Sequence, residues 1–168
     1  MSDLPSTVEI HEEGPREGFQ IEPGPISTVD KVKLIDALSK TGLKHIQACS
    51  FVNPRLVPGW ADAEKVVESF DAHEDVEYTG LYFNGNGLDR ALAFKDKLTI
   101  SGSISLTASE GFTKKNLNRT HAENMAAMER HVMSHLELGI PVNRIGVMAA
   151  FGCNYQGDIS PETVIKTL

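Results

Sequence analysis

The densest set of chemically able side chains lies in one run, Val8-Glu9-Ile10-His11-Glu12-Glu13-Gly14-Pro15-Arg16-Glu17-Gly18-Phe19-Gln20. A carboxylate oxygen such as Glu17 offers is the kind of ligand that Mg2+ or Mn2+ prefers, and Glu12 adds a second acidic group. Arg16 offers a planar, permanently charged fork, better suited to an oxyanion than an ammonium is, and Gln20 adds an amide. The same guanidinium would serve equally in a surface salt bridge. Lys114, Lys115 and Arg119, beside Asn116 and Asn118, form the most basic cluster of an acidic chain. That cluster suits a phosphate, and it also suits a solvated loop ahead of a helix. His131 and His135 stand at helical spacing and could clasp a metal, but no glutamate occupies the position that zinc-binding helices use, so they read as a wet surface pair. His11 and His45 fall in strand-like runs, where buried hydrogen bonds are the expected role. Cys153 is either pocket lining or a small buried thiol.

The elements that must position these groups alternate short strand-like runs with longer helix-like ones, the pattern of βαβ units and a parallel sheet. Five strands are predicted: Thr7 to His11, His45 to Phe51, Glu77 to Phe83, Thr99 to Leu106 and Arg144 to Ala150. The first helix follows Ser27 and Thr28, carries Val32, Leu34, Ile35 and Leu38, and stops at Gly42, where a left-handed residue is wanted. Asn84 to Gly87 reads as a turn between the third strand and its helix, without a phosphate-binding fingerprint. Thr120 and Glu123 make a capping box, followed by a predicted apolar stripe of Met125, Met128, Val132 and Leu136. Ser160-Pro161-Glu162 opens a fifth helix. Five such units fit the first part of a (β/α)8 barrel, which needs about 250 residues, with open sheet edges that favour self-association. They fit a flavodoxin-like five-stranded sheet equally well.

Composition narrows the function. The chain has 168 residues, 40% of them hydrophobic and 23% charged, as expected of one domain without an internal boundary. A net charge of -7 argues against a nucleic-acid partner, so a small molecule is the expected ligand. Two cysteines, no basic or apolar leader and no long apolar run point to a reducing, cytoplasmic setting away from membranes.

The loops after the strands decide between the folds. Gly14-Pro15-Arg16-Glu17-Gly18-Phe19-Gln20 resembles the strand-one signature Gly-Pro-Arg-Asp-Gly-Leu-Gln of the hydroxymethylglutaryl-CoA lyases, within a larger group of metal-dependent barrel lyases and synthases. Ser50-Phe51-Val52-Asn53-Pro54, with Val57-Pro58, resembles that family's second loop. Ala108-Ser109-Glu110 with the run Phe112 to Asn118 resembles its fourth, and Phe151 to Pro161 its fifth. The resemblance implies a TIM-type barrel, here about five βα units of one catalytic domain spanning residues 1–168.

It also implies retro-aldol cleavage of an acyl-CoA to acetyl-CoA and a keto acid such as acetoacetate, with a divalent cation, Mg2+ or Mn2+, as cofactor and a homo-oligomeric assembly. By the same resemblance Arg16 faces the enolate oxygen, Glu17 stands for the metal-binding aspartate, and Gln20 and Glu12 belong to the catalytic set, Glu12 orienting Arg16. Gln47 stands where the lyases have a glutamate, and an amide cannot take a proton. Gln47, Ser50, Phe51, Lys114, Lys115, Asn116, Asn118 and Cys153 fall in substrate-binding loops, the basic ones near the coenzyme A phosphates. The family's other metal ligands, a His-x-His pair on a sixth strand and a later asparagine, match nothing in this chain, nor does its catalytic cysteine loop. Two alternatives stay open: a Claisen-type synthase joining acetyl-CoA to a 2-keto acid, and a non-catalytic truncated piece.

Overall fold

The computed structural model describes residues 4–24 and 26–168. The chain forms two compact units, Met1–Ile100 and Ser101–Leu168. Both are built of parallel strands with helical connections, as the alternating pattern predicts.

In the first unit, β1 (His11–Glu12), β2 (His45–Ser50) and β3 (Glu77–Leu81) lie side by side in the order β1-β2-β3, all parallel. The chain enters α1 (Gly14–Ile21) directly from β1, then α2 (Thr28–Leu38) before β2. A 3-10 turn (Pro58–Trp60) and α3 (Ala63–Ser69) lead to β3, and α4 (Gly85–Leu92) follows it. The core is where the apolar faces meet: Ile46 and Ala48 of β2, Tyr78 of β3, Ile35 of α2, Val66 and Val67 of α3, with Trp60 and Phe70. Ser27 caps α2 by accepting from the Asp30 amide at 3.1 Å, and Gly42 takes the left-handed backbone (φ 90°) that its position demands. Asn84 caps α4 through the Gly87 amide at 3.0 Å, so the Asn-Gly segment is a helix start.

The second unit pairs β4 (Gly102–Thr107) with β5 (Val142–Met148) in parallel, connected through α5 (Glu110–Leu117) and α6 (His121–Glu137). A small antiparallel hairpin, β6 (Gly152–Cys153) and β7 (Gly157–Asp158), fills the fifth loop ahead of α7 (Pro161–Thr167). The Thr120–Glu123 capping box forms with both of its bonds.

Four sequence expectations need correction. The predicted first strand, Thr7 to His11, pairs only from His11, because Val8 and Ile10 find no apolar cover and stay exposed. The stretch holding Arg16, Glu17 and Gln20, read as a loop, is helical, with Pro15 preset for a first turn. The stripe of α6 is rotated: Met125 and Leu136 are exposed, while Asn124 and His135 are buried. There Asn124 donates to the Ser105 carbonyl, and His135 fills the space beside Gly102. His135 is therefore no wet surface residue; its Nδ1 donates to the His131 carbonyl at 2.7 Å.

Among the described residues, no helix is long and apolar enough to cross a membrane.

Candidate active site

Arg16 is the most constrained of the predicted site residues. It sits in the first turn of α1, just past the carboxyl end of β1, with its side chain only 15% exposed. Its Nε donates to Gln47 Oε1 at 2.5 Å, one terminal nitrogen donates to Glu13 at 2.6 Å, and the other contacts Glu17. A guanidinium held on three acceptors has one orientation, which a lysine could not copy. Gln47 reaches it because His45, Gln47 and the residues between alternate along β2, placing Gln47 on the face opposite buried Ile46 and Ala48.

The α1 backbone is pinned as firmly. Trp60, fully buried, donates its indole N–H to the Arg16 carbonyl at 2.9 Å, and Phe19 packs edge-on against the same ring. Gly59 touches the Phe19 carbonyl so closely that a Cβ there would lie 2.6 Å from it. Behind Gly59, Lys31 of α2 is 2% exposed and donates to the Gly59 carbonyl and to Asp62 Oδ1, the latter at 2.6 Å. Partial burial works against ionisation of Asp62, but the hydrogen bonds from Lys31 and Thr28 outweigh it and hold this carboxyl below its usual range.

Glu12 does not meet Arg16; its carboxylate accepts from the Gly14 amide and closes the first turn of α1. The carboxylate that joins Glu17 on Arg16 is Glu13, which sequence reasoning passed over. Its signal was spacing, since a residue three before Arg16 shares its helical face. Gln20 is exposed in the last turn. Ser50, at the carboxyl end of β2, has a buried hydroxyl that is without a partner among the described residues, and such a group calls for a bound polar ligand or water. Phe51 is a core residue, 2% exposed, against Gly80 and Phe94. Arg90 of α4 lies over its ring and anchors this second loop through the Val52 carbonyl and Glu64.

In the second unit, Lys114 and Arg119 line one open depression with Glu110, Gly111, Thr120, Tyr155 and Gln156. Lys115, Asn116 and Asn118 are exposed outside that lining, and Asn118 ends α5 in the left-handed conformation. Cys153 is half-buried; its Sγ lies 3.1 Å from Ser109 Oγ, which also donates to Gln156 Oε1 at 3.0 Å. The Ser109 contact lowers the Cys153 thiol below its ordinary range, whereas burial pushes Cys49 far above it.

The residues can accommodate a hard divalent cation in one limited way. Glu17 engages Arg16 through a single oxygen and its side chain is 52% exposed, so a second carboxylate oxygen remains for a cation whose other ligands are water and substrate.

The chain is similar to hydroxymethylglutaryl-CoA lyases throughout. It is 39% identical to the cytoplasmic 3-hydroxy-3-methylglutaryl-CoA lyase of Rattus norvegicus over 99% of its own length and 47% of the relative's. For the lyase of Bacillus subtilis the identity is 35%, over 96% of this chain and 53% of that one. Among solved structures, that of the Bacillus subtilis HMG-CoA lyase superposes with a TM-score of 0.85 at 34% identity, covering 97% of this chain and 53% of the other. An HMG-CoA lyase from Acinetobacter baumannii, in complex with coenzyme A and 3-methylmalate, superposes with a TM-score of 0.80 at 30% identity, over 99% and 53%. No family profile matches the chain. The parallel α/β units and their loops thus follow the lyase barrels over about half their length, and this chain is a homologue of the hydroxymethylglutaryl-CoA lyases that spans about half of the curated relatives it matches.

Proposed function

We propose that this chain supplies the first five βα units of an acyl-CoA carbon-carbon lyase, one catalytic barrel domain that cleaves a 3-hydroxyacyl-CoA such as hydroxymethylglutaryl-CoA to acetyl-CoA and a keto acid. The observation that carries this reading is the fixed Arg16 fork at the carboxyl end of the strands, the end where barrels keep their chemistry.

In the reaction a base takes the hydroxyl proton, and the hydroxyl carbon becomes the keto-acid carbonyl as the carbon-carbon bond breaks. The electron pair moves onto the thioester as an enolate, which takes up a proton to give acetyl-CoA. Arg16 opposes the negative charge that grows on the enolate oxygen, and it needs no reorganisation because Gln47, Glu13 and the pinned backbone already hold it. Glu17 would be this chain's ligand to Mg2+ or Mn2+, which supplies a Lewis acid for the substrate oxygens. Ser50 offers its hydroxyl to the substrate, and Gln20 lies one helical turn beyond Arg16. Gln47 differs in kind from an acid: it accepts from Arg16 without neutralising it, which leaves the compensation to Glu13 and Glu17. Lys114 and Arg119, with Lys115, Asn116 and Asn118 nearby in sequence, attract the coenzyme A phosphates. Cys153 stands behind the same depression, against Ser109, whose hydroxyl donates to the lining residue Gln156. The working protein is a cytoplasmic homo-oligomer.

The test is to assemble the chain with the remaining half of the Bacillus subtilis relative and assay hydroxymethylglutaryl-CoA. Release of acetyl-CoA and acetoacetate that stops on chelation supports the proposal. A folded assembly that condenses acetyl-CoA with a 2-keto acid and cleaves nothing would overturn it in favour of a synthase.

A further inference from the structure

At the opposite end of the same sheet lies a group that the lyase reading does not use. His11 opens β1 and His45 opens β2, and the parallel register sets them directly side by side. Their rings stack at 4.1 Å with an interplanar angle of 10°. Glu9 spans both: one carboxylate oxygen lies 2.7 Å from His45 Nε2 and the other 3.7 Å from His11 Nε2. On the far side of the His45 ring, Nδ1 lies 3.3 Å from Glu77, the first residue of β3. The sequence predicts buried hydrogen bonds for these histidines, yet the His11 side chain is 53% exposed and that of His45 is 22% exposed.

We infer that Glu9, His11 and His45 form a second metal site, one that takes a borderline divalent transition ion such as Zn2+. The three ligand atoms lie within 4.8 Å of one another. Ligands about 2.1 Å from a tetrahedral ion stand roughly 3.4 Å apart, a spacing that the 2.7 and 3.7 Å separations bracket. Glu77, 3.3 Å from His45 Nδ1, stands where it can orient the ring with Nε2 toward the ion, the carboxylate-histidine-metal arrangement that raises ligand basicity. Two imidazoles and one carboxylate bind Zn2+ more tightly than Mn2+ in the usual affinity order of divalent ions, and more tightly than Mg2+, which prefers oxygen ligands. Binding requires the stacked rings to tilt so that their lone pairs converge on the ion.

The position gives the ion a structural task. His45 precedes Gln47 by two residues on the same strand face, which places the ion about 7 Å toward the amino ends of the strands. Barrel chemistry is not done at that end. An ion there would tie the segment before β1 to β2, where the ladder of β1 is only two residues long.

Isothermal titration of the tag-free 168-residue chain with Zn2+ tests this, with Co2+ as a spectroscopic probe of tetrahedral nitrogen and oxygen ligation. One Zn2+ per chain is expected, bound at least tenfold more weakly by His45→Gln and by Glu9→Gln. Binding should weaken by about 10- to 100-fold in Glu77→Gln. Glu17→Gln and Cys153→Ser should leave it unchanged, as should a hundredfold excess of Mg2+, so that loss of the lyase reading and loss of this site are separable. Glu9 is exposed, so Glu9→Gln preserves folding and keeps the test open if His45→Gln does not fold. Absence of Zn2+ binding, or binding indifferent to both Glu9→Gln and His45→Gln, overturns the site.

Discussion

Arg16 shows how a charged side chain becomes a tool. Three side-chain acceptors and one indole donor to its carbonyl leave it no freedom to spend when negative charge develops nearby. Its type and its neighbours were legible in the sequence; its partners were only half so. Gln47 lies 31 residues away, and nothing local announces a cross-strand contact. Glu13 was hidden because the stretch read as a loop, where three-residue spacing carries no meaning. The two cysteines make a separate prediction at this scale. Cys153, with its thiol lowered by Ser109, should be alkylated by iodoacetamide in the native chain, while Cys49, fully buried and shifted upward, should react only after unfolding. Mass spectrometry of the native digest checks this, and equal labelling of both sites would refute the environments assigned to them.

At the scale of elements, α1 is held in place by the turn at Pro58–Trp60, and that turn is held by Lys31 and Asp62. Gly59→Ala should push α1 away, since the new methyl meets backbone rather than a yielding side chain. A cost of about 1–3 kcal/mol is expected, measured by urea unfolding; an unchanged midpoint would mean that the close approach is not real.

Asp62 adds a pH dependence. Its carboxyl is depressed in the folded chain, so it favours folding fully above the ordinary carboxylate value of about 3.9, and that contribution disappears as pH falls through the lower folded value. Asp62→Asn should therefore lower stability at neutral pH and flatten its fall below about pH 4, seen by thermal melts across pH. The strands, caps and capping box were readable because each depends on neighbours in sequence. The rotation of α6 was not, because Asn124 and His135 are buried by particular partners, the Ser105 carbonyl and the gap beside Gly102, that no periodicity encodes.

At the scale of the molecule, the parallel units follow the lyase barrels over about half their length. The loops of Arg16 and of Lys114 lie in different compact units. Barrel class was readable from loop signatures in the right order, whereas the alternation of strands and helices alone fitted a flavodoxin-like sheet as well. The small hairpin at Gly152–Asp158 went unread because its strands are two residues each and rest on glycines at positive φ.

In the proposed lyase reaction, Arg16 is the group assigned to stabilise the transition state of acyl-CoA cleavage. Arg16→Gln, in the chain assembled with the remaining half of the Bacillus subtilis relative and checked for folding by circular dichroism, tests it most directly. A fall in kcat of about 10²- to 10³-fold is expected, with KM for hydroxymethylglutaryl-CoA little changed. A folded variant that cleaves as fast as its parent would contradict it.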